Sequence, residues 1–208
     1  MDNRAFVFYI RQMIDGVNLL LSERLKIERM AKGWSLAQLS EKSQVSRAMI
    51  SRIERGEVSA TASLLAKLAD AYGLALADLF APRHPRNVVS PLRRRSEQTV
   101  WQDPSSGYSR RAIVNSAPSC PLNVVEIDFP AGATVLFDHS GDGGQKQNVW
   151  LLEGSLRMTI GEDIYDMCPG DCLTMALDRP LAFHNPGNRP ARYAVILWST
   201  TKPDALTP

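Results

Sequence analysis

Residues 35–56 read SLAQLSEKSQVSRAMISRIERG, and this stretch determines how the first part of the chain folds. Its apolar spacing predicts two short helices joined by a tight turn. The first helix is capped by Ser35, a residue type that favours helix N-termini, and runs to Lys42 with Leu36 and Leu39 facing inward.

The second helix of this pair is capped by Ser46 and runs to Arg55, and Gly56 marks its end. Its Ile50 and Ile53 face the core, which leaves the opposite side of the helix to solvent. The turn between the two helices lies at residues 43–45.

Three more helical segments surround this pair, so that five short helices are predicted before residue 82. Residues 17–32 have helical apolar spacing and end at Gly33, Thr61 begins a helix that ends before Gly73, and residues 76–80 add one turn or short helix. We assign residues 17–81 to this domain and residues 1–16 to an N-terminal extension. The apolar residues Phe6, Ile10, Met13, Ile14 and Val17 fit a backward extension of the first helix, whereas Gly16 argues for a break. The extension is either a dimer contact or a frayed tail.

The sequence changes character near residue 82. Residues 82–98 contain three prolines and the run Arg93-Arg94-Arg95 without a sustained period, which is typical of a linker. From residue 99 to residue 208, short alternating runs separated by Pro and Gly predict a β-sandwich or small barrel. The predicted strands are residues 123–129, 147–152, 156–160, 164–167, 173–177 and 193–198.

Charge is distributed unevenly along the 208 residues, although the whole chain has a formal net charge of only +2. Residues 1–98 hold 16 Lys+Arg and 10 Asp+Glu, whereas residues 99–208 hold 8 and 12. A basic first half joined to an acidic second half indicates an anion-binding module attached to another domain.

Composition also indicates where the protein works. No apolar run approaches the ~18 residues of a membrane span. The short apolar run at residues 6–10 ends at Arg11 and is not followed by a small-residue cleavage site, so we expect a soluble cytoplasmic protein. Cys120, Cys168 and Cys172 form no disulfide framework, and we expect them to be buried reduced thiols.

The stretch 35–56, within residues 17–80, resembles the phage-repressor type of helix-turn-helix, often called the XRE family. The resemblance rests on Ala37, where the two helices should approach closely, and on the ending Ile-x-x-Ile-Glu-x-Gly at residues 50–56. One departure is Gln44, at a turn position where the family often has Gly because the backbone is left-handed there. A non-Gly residue costs about 1 kcal/mol in that conformation.

The resemblance implies that the second helix enters the major groove of DNA. Arg side chains there can donate two hydrogen bonds to guanine, and helix N-termini favour nearby phosphates. Gln38 and Arg55 are expected to contact the DNA backbone, and Ala48 to touch only a thymine methyl group. The predicted DNA-binding residues are Gln38, Ser46, Arg47, Ala48, Ser51, Arg52 and Arg55. A helical bundle that binds protein is the alternative.

Residues 122–198 resemble a small cupin, a double-stranded β-helix barrel with two sequence motifs. The first motif is matched by residues 149–154, and the second by Pro169-Gly170-Asp171 and Asn185-Pro186-Gly187. The predicted fold class is therefore α + β in two domains, a five-helix lambda-repressor-like DNA-binding domain followed by a cupin barrel.

The metal ligands of the cupin family do not map onto suitable residues here. Its Glu position falls on Gln147 and its second-motif His position on Leu181, and these side chains cannot form a tight divalent site. We therefore predict no catalytic metal and no cofactor. The alternative is an off-register metal site formed by Asp138, His139 and His184.

A barrel of this size has room for one small ligand without a metal. If Gln147 points inward, Val149 and Leu151 do so too, because strand side chains alternate. The predicted ligand-binding residues are Arg110, His139, Gln147, Val149 and Leu151, with Arg111 as an alternative to Arg110. The alternative is that these side chains bind no ligand and are ordinary residues of the barrel core or rim.

The combination of both resemblances implies a one-component bacterial transcription regulator. We predict a homodimer that binds double-stranded DNA at a palindromic operator and responds to an unknown small-molecule effector in the barrel. The alternatives are a metal-dependent cupin isomerase or dioxygenase with an accessory DNA-binding domain, and an antitoxin-like regulator whose barrel binds protein.

Overall fold

A computed structural model describes residues 3–81, 92–115, 122–138 and 146–198, with side chains described from residue 16 onward. We call residues 3–81 the helical part and residues 100–198 the barrel. The helical part contains α1 (Asn3–Ala31), α2 (Leu36–Ser43), α3 (Arg47–Glu54) and α4 (Ala62–Tyr72).

Two helix predictions require correction. The fifth expected helix, Leu76–Phe80, is a single 3₁₀ segment, so the helical part has four α-helices rather than five. In addition, α1 continues through Gly16 without a break, so that residues 3–16 belong to the same helix as residues 17–31.

The helix starts follow the sequence closely. Ser35, Ser46 and Thr61 each accept a hydrogen bond from the backbone N–H three residues later, at 3.2, 3.3 and 3.4 Å respectively. Each bond satisfies a backbone N–H of the first helical turn, which has no acceptor within its own helix. The predicted caps of α2, α3 and α4 are therefore confirmed.

The barrel is formed by two antiparallel sheets. One has six strands in the order β1-β2-β3-β10-β5-β8 and the other has four in the order β4-β9-β6-β7. Strands β3 to β10 form two facing sets of four, β3-β10-β5-β8 and β4-β9-β6-β7, as in a jelly roll, the fold to which cupins belong. The strands are β1 Val100–Gln102, β2 Ser109–Val114, β3 Leu122–Phe129, β4 Thr134–Phe137, β5 Lys146–Glu153, β6 Leu156–Ile160, β7 Asp163–Met167, β8 Cys172–Ala176, β9 Leu181–His184 and β10 Ala191–Trp198.

The motif residues of the barrel hold its turns together. Gly154 has φ +82°, and a Cβ atom there would lie 2.8 Å from Ala191 Cα, so only glycine fits. The fully buried Asn185 donates to the backbone oxygens of Phe129 and Pro130 at 3.2 Å, which ties the segment after β9 to the end of β3.

The helical part and the barrel are joined by buried polar contacts. Asn123 Nδ2 on β3 donates to Asp78 Oδ1 at 2.9 Å, and the backbone N–H of Ala62 at the start of α4 donates to Asp103 Oδ1 at 2.7 Å. Trp101 Nε1 donates to Asn18 Oδ1 at 3.2 Å. Because unpaired polar groups are costly when buried, these contacts fix how the two parts dock.

Aromatic rings continue this interface into the barrel. Phe80 lies 5.5 Å from the fully buried ring of Trp101, which contacts Tyr108 at 6.0 Å. Tyr108 in turn contacts the ring of Phe129, and Phe129 contacts the ring of Tyr193. Ring pairs at these separations add to the stabilisation from apolar burial.

Two remaining expectations concern the surface. Cys168 and Cys172 are exposed rather than buried, because they flank the Pro169–Asp171 turn; Cys120 lies outside the described residues. Among the helices that the structure describes, none combines the length and apolar character of a membrane span.

Candidate functional site

The first candidate site is the outer face of α3. Ile50 and Ile53 are buried on its inner side, as the apolar spacing predicts. The opposite side of the helix is turned to solvent: Ser46, Arg47, Ala48 and Arg52 are exposed, and Ser51 is half-buried. A continuous polar and basic strip therefore runs along α3.

An ion pair fixes α3 against the first helix. Arg29 near the end of α1 donates two hydrogen bonds to Glu54, with N···O distances of 2.8 and 2.7 Å, and a third to the backbone oxygen of Trp34 at 2.9 Å. The bonds to Glu54 raise the pKa of Arg29 above its ordinary value. Glu54, the Glu of the sequence motif, therefore holds α3 against α1 and so positions the exposed strip.

The preceding helix supplies the next candidate, Gln38. Its Oε1 accepts from the backbone N–H of Ser35 at 2.8 Å, which completes a capping box and leaves its amide nitrogen facing solvent. Ala37 is exposed, so the expectation that it marks the close helix approach is wrong. Leu39 and Ser43 form the buried side of α2 instead.

The turn between α2 and α3 has the conformation inferred from the family. Gln44 has φ +55°, and it is the only non-glycine residue with positive φ among those described. Its side-chain amide donates to the backbone oxygen of Glu41 at 2.7 Å, which stabilises the left-handed turn locally.

Charges at the end of α3 are partly paired within the molecule. Arg55 donates to Glu57 at 2.6 and 3.0 Å and also to Ser51 Oγ, and Arg52 lies 3.9 Å from Glu57. In contrast, Arg47 forms no hydrogen bond or ion pair with the described residues. Its guanidinium is therefore available to an external acceptor.

The second candidate site is a cavity of about 80 Å³ inside the barrel. Arg110 and Gln147, both predicted to contact a ligand, line it together with residues from both parts of the chain. Its lining residues are Ala66, Asp70, Ala75, Leu76, Ala77, Tyr108, Arg110, Val125, Ile127, Phe129, Val135, Phe137, Gln147, Leu177, Leu181, Phe183, Tyr193, Val195 and Leu197.

The other ligand candidates lie elsewhere. Val149 and Leu151 point inward, as strand alternation predicts, but they pack fully buried in the core and do not line the cavity. His139 lies outside the described residues. Arg111 points to the outer face of the sheet, where its Nε lies 3.1 Å from Glu126.

Several cavity residues escaped the sequence analysis. Tyr193 begins the predicted strand 193–198, but nothing in the sequence distinguishes a cavity position on that strand from a core position. Ala66, Asp70 and residues 75–77 belong to the helical part. Their contribution depends on how the two parts dock, and no sequence pattern predicted it.

The positions of the cupin metal ligands coincide with this cavity. Gln147 and Leu181, which replace the family's Glu and His, both line it. In the off-register alternative, Asp138 instead pairs with Lys67 at 3.0 Å, and His184 Nδ1 lies 3.0 Å from Thr134 Oγ1. The described residues contain no group of three or more His, Cys, Asp or Glu side chains that could hold a metal ion.

Comparisons with known proteins agree with both halves of this description. The Helix-turn-helix family HTH_3 matches residues 25–79. Over 184 residues the chain is 40% identical to the HTH-type transcriptional regulator SutR of Escherichia coli (strain K12), covering 88% of this chain and 97% of that protein. The regulator PuuR of the same organism is 27% identical over 169 residues, which cover 78% of this chain and 86% of PuuR.

A solved structure shares the whole architecture. The crystal structure of an HTH_3 family transcriptional regulator from Vibrio cholerae has a TM-score of 0.74 with 21% identity, covering 90% of this chain and 99% of that one. At this identity the likeness concerns the fold. The near full-length match to SutR establishes the family: the chain belongs to the XRE-type helix-turn-helix transcriptional regulators.

Proposed function

We propose that the protein is a one-component regulator in which α3 reads an operator and a small molecule in the barrel cavity changes operator affinity. The observation that carries this proposal is the shared wall of the cavity, to which α4 and the 3₁₀ segment of the helical part contribute. A ligand there touches both parts. Its binding free energy therefore differs between arrangements of the helical part, and it shifts their populations.

Operator recognition is assigned to the exposed strip of α3. Arg47 and Arg52 extend from this face and are of the residue type that donates two hydrogen bonds to guanine. Ala48 and Ser51 lie between them and Ser46 caps the helix before Arg47, while Gln38 and Arg55 lie where contacts to phosphates are expected.

The regulator acts as a homodimer on a palindromic operator in this proposal. Helix-turn-helix dimers place their two recognition helices about 34 Å apart, which is one turn of DNA. Two identical chains related by a two-fold axis then read two identical half-sites.

The test is a measurement of operator binding by the full chain. An operator is first selected from a random-sequence duplex library, and its affinity is then measured by fluorescence anisotropy at two salt concentrations. We expect Arg47→Ala and Arg52→Ala each to weaken binding by about 1–3 kcal/mol with unchanged thermal stability. Arg157→Ala, on the exposed surface of the barrel, is the matched control.

Two results would contradict the proposal. Failure of the selection to enrich any sequence would remove the operator-binding role from this chain. Full operator affinity in the Arg47 and Arg52 variants would mean that another face of the helical part reads the DNA.

A further inference from the structure

The cavity is large enough for a small organic molecule. Its volume of about 80 Å³ is several times the roughly 10–15 Å³ that one buried water needs. Most of the wall is aromatic or aliphatic, including Phe129, Phe137 and Phe183. An apolar wall of this kind selects a ligand with a hydrocarbon body.

One charged side chain reaches this apolar cavity from β2. Arg110 is only 7% exposed, and its guanidinium forms neither a hydrogen bond nor an ion pair with the residues that the structure describes. It stacks over Phe80, with Cζ 4.4 Å from the ring centroid. Burial lowers the pKa of Arg110, which reflects the cost of keeping its charge away from water.

Further donors face the same space. The hydroxyls of Tyr108 and Tyr193 form no hydrogen bond within the described part of the chain, and both residues line the cavity. Burial raises the pKa of Tyr108 to about 12 and that of Tyr193 well above its ordinary value, so both phenols keep their protons and remain donors. Gln147 Nε2 donates only to the weak acceptor Met175 Sδ, at 3.5 Å.

No nearby carboxylate forms an ion pair with Arg110, although the charge of Asp78 acts through space and partly opposes the lowering of the Arg110 pKa by burial. Asp78 is committed to other partners, since it accepts from Asn123 Nδ2 at 2.9 Å and from the backbone N–H of Ala75 at 3.0 Å. Asp70 also lines the cavity from the helical part, but it is an exposed residue and forms no ion pair with Arg110. The cavity therefore combines a buried guanidinium that has no direct ion-pair partner with several hydrogen-bond donors.

We infer that the cavity binds a small organic monoanion, whose carboxylate-type head group pairs with Arg110 and whose apolar body contacts the phenylalanine wall. One negative charge neutralises the single buried guanidinium, and a planar head group matches its fork of N–H donors. A cationic or purely hydrocarbon ligand would leave the Arg110 charge unpaired. This inference rests on the proposed function and names the chemical class of its effector.

The arrangement also links the anion to the helical part. Phe80, which stacks on Arg110, belongs to the 3₁₀ segment that closes the cavity. A head group that draws the Arg110 guanidinium toward itself therefore changes its stacking contact with Phe80, a residue of the helical part.

The inference is tested by thermal unfolding of the full chain with butyrate, isovalerate and hexanoate. Each is compared with its primary amide, with isoamylamine as a cationic probe and with sodium chloride at equal ionic strength. We expect the best carboxylate, at about 100 times its Kd, to raise Tm by roughly 5–10 °C, whereas the amides and the amine produce no such rise.

Two variants separate a binding role of Arg110 from a structural one. Arg110→Met should abolish the carboxylate response and leave the Tm of the unliganded protein unchanged or higher, because it removes a buried unpaired charge. Arg111→Met makes the same change one residue along β2, where the charge is paired with Glu126. It should lower Tm and keep the carboxylate response.

Equal responses to carboxylates and their amides, or no response to either, would overturn the inference. So would a carboxylate response that persists in Arg110→Met. Operator affinity, measured with the same probes, is scored separately: a carboxylate that binds at Arg110 without changing operator affinity refutes the sensor function and leaves the anion site standing. An operator response only to uncharged cavity ligands refutes the anion site and leaves the sensor function standing.

Discussion

In the absence of DNA, Glu57 neutralises part of the positive charge at the C-terminal end of α3. Its carboxylate accepts two hydrogen bonds from Arg55 and lies 3.9 Å from Arg52. The bonds with Arg55 lower the pKa of Glu57 and raise that of Arg55, as expected for an ion pair. A phosphate that binds either arginine must compete with this internal carboxylate.

Removing the competitor should strengthen DNA binding. We expect Glu57→Gln to raise operator affinity by about two- to fivefold, the range of an exposed ion pair, and to steepen the salt dependence of binding. Anisotropy titrations at several salt concentrations measure both quantities. Asp166→Asn changes the net charge equally on the exposed barrel surface, next to Arg157. An equal gain in that control would attribute the effect to net charge alone.

Single residues also show which site predictions the sequence could support. Gln147 is predicted from its place at the Glu position of the cupin family, and Arg110 is predicted with Arg111 as the alternative, a choice that only the structure resolves. Val149 and Leu151 share the strand alternation of Gln147 but lie in the core. Alternation predicts which side of the sheet a residue faces, and only packing decides whether that side is filled or hollow.

The turn between α2 and α3 stores a small amount of strain. Gln44 occupies left-handed backbone space, and its hydrogen bond to Glu41 offsets part of the cost. The resemblance to the XRE family predicts this conformation, and the structure confirms it. The turn sets the angle between α2 and α3, so its geometry also orients the exposed strip.

A glycine at this turn should stabilise the helical part. We expect Gln44→Gly to raise the free energy of unfolding by no more than about 0.5 kcal/mol, because the loss of one exposed hydrogen bond and the gain of unfolded-chain entropy offset much of the Cβ strain. Chemical denaturation followed by circular dichroism measures the change. Gly73→Ala, at φ +74° with open space around it, should cost a similar amount. A destabilised Gln44→Gly would show that the Glu41 contact dominates.

Helices were easier to predict than strands for a physical reason. Ser46 and Thr61 cap their helices through local hydrogen bonds, which depend only on neighbouring residues and are therefore readable from the sequence. The strands β4 and β9 have four residues each and pair with each other across about 50 positions of sequence. Such short strands are defined by their partners, and both were missed.

The proposed dimer makes a prediction about mass. The exposed Trp150 and Trp198 lie on neighbouring strands β5 and β10, on the outer face of the six-stranded sheet, and are the surface we assign to the second copy. Sedimentation should give about twice the chain mass of 23.0 kDa. Trp150→Lys should lower that mass, while Ile164→Lys on the other sheet should not. A monomer at concentrations that bind operator would refute the dimer.

The cavity wall that α4 and the 3₁₀ segment supply has a consequence for how such a regulator can evolve. Domains that merely share a linker can be exchanged between proteins by recombination, and each keeps its own activity. Here the barrel grafted onto a foreign helical domain would lose Ala66, residues 75–77 and the Phe80 ring over Arg110. We expect such a chimera to need those residues restored before it recovers the proposed ligand recognition.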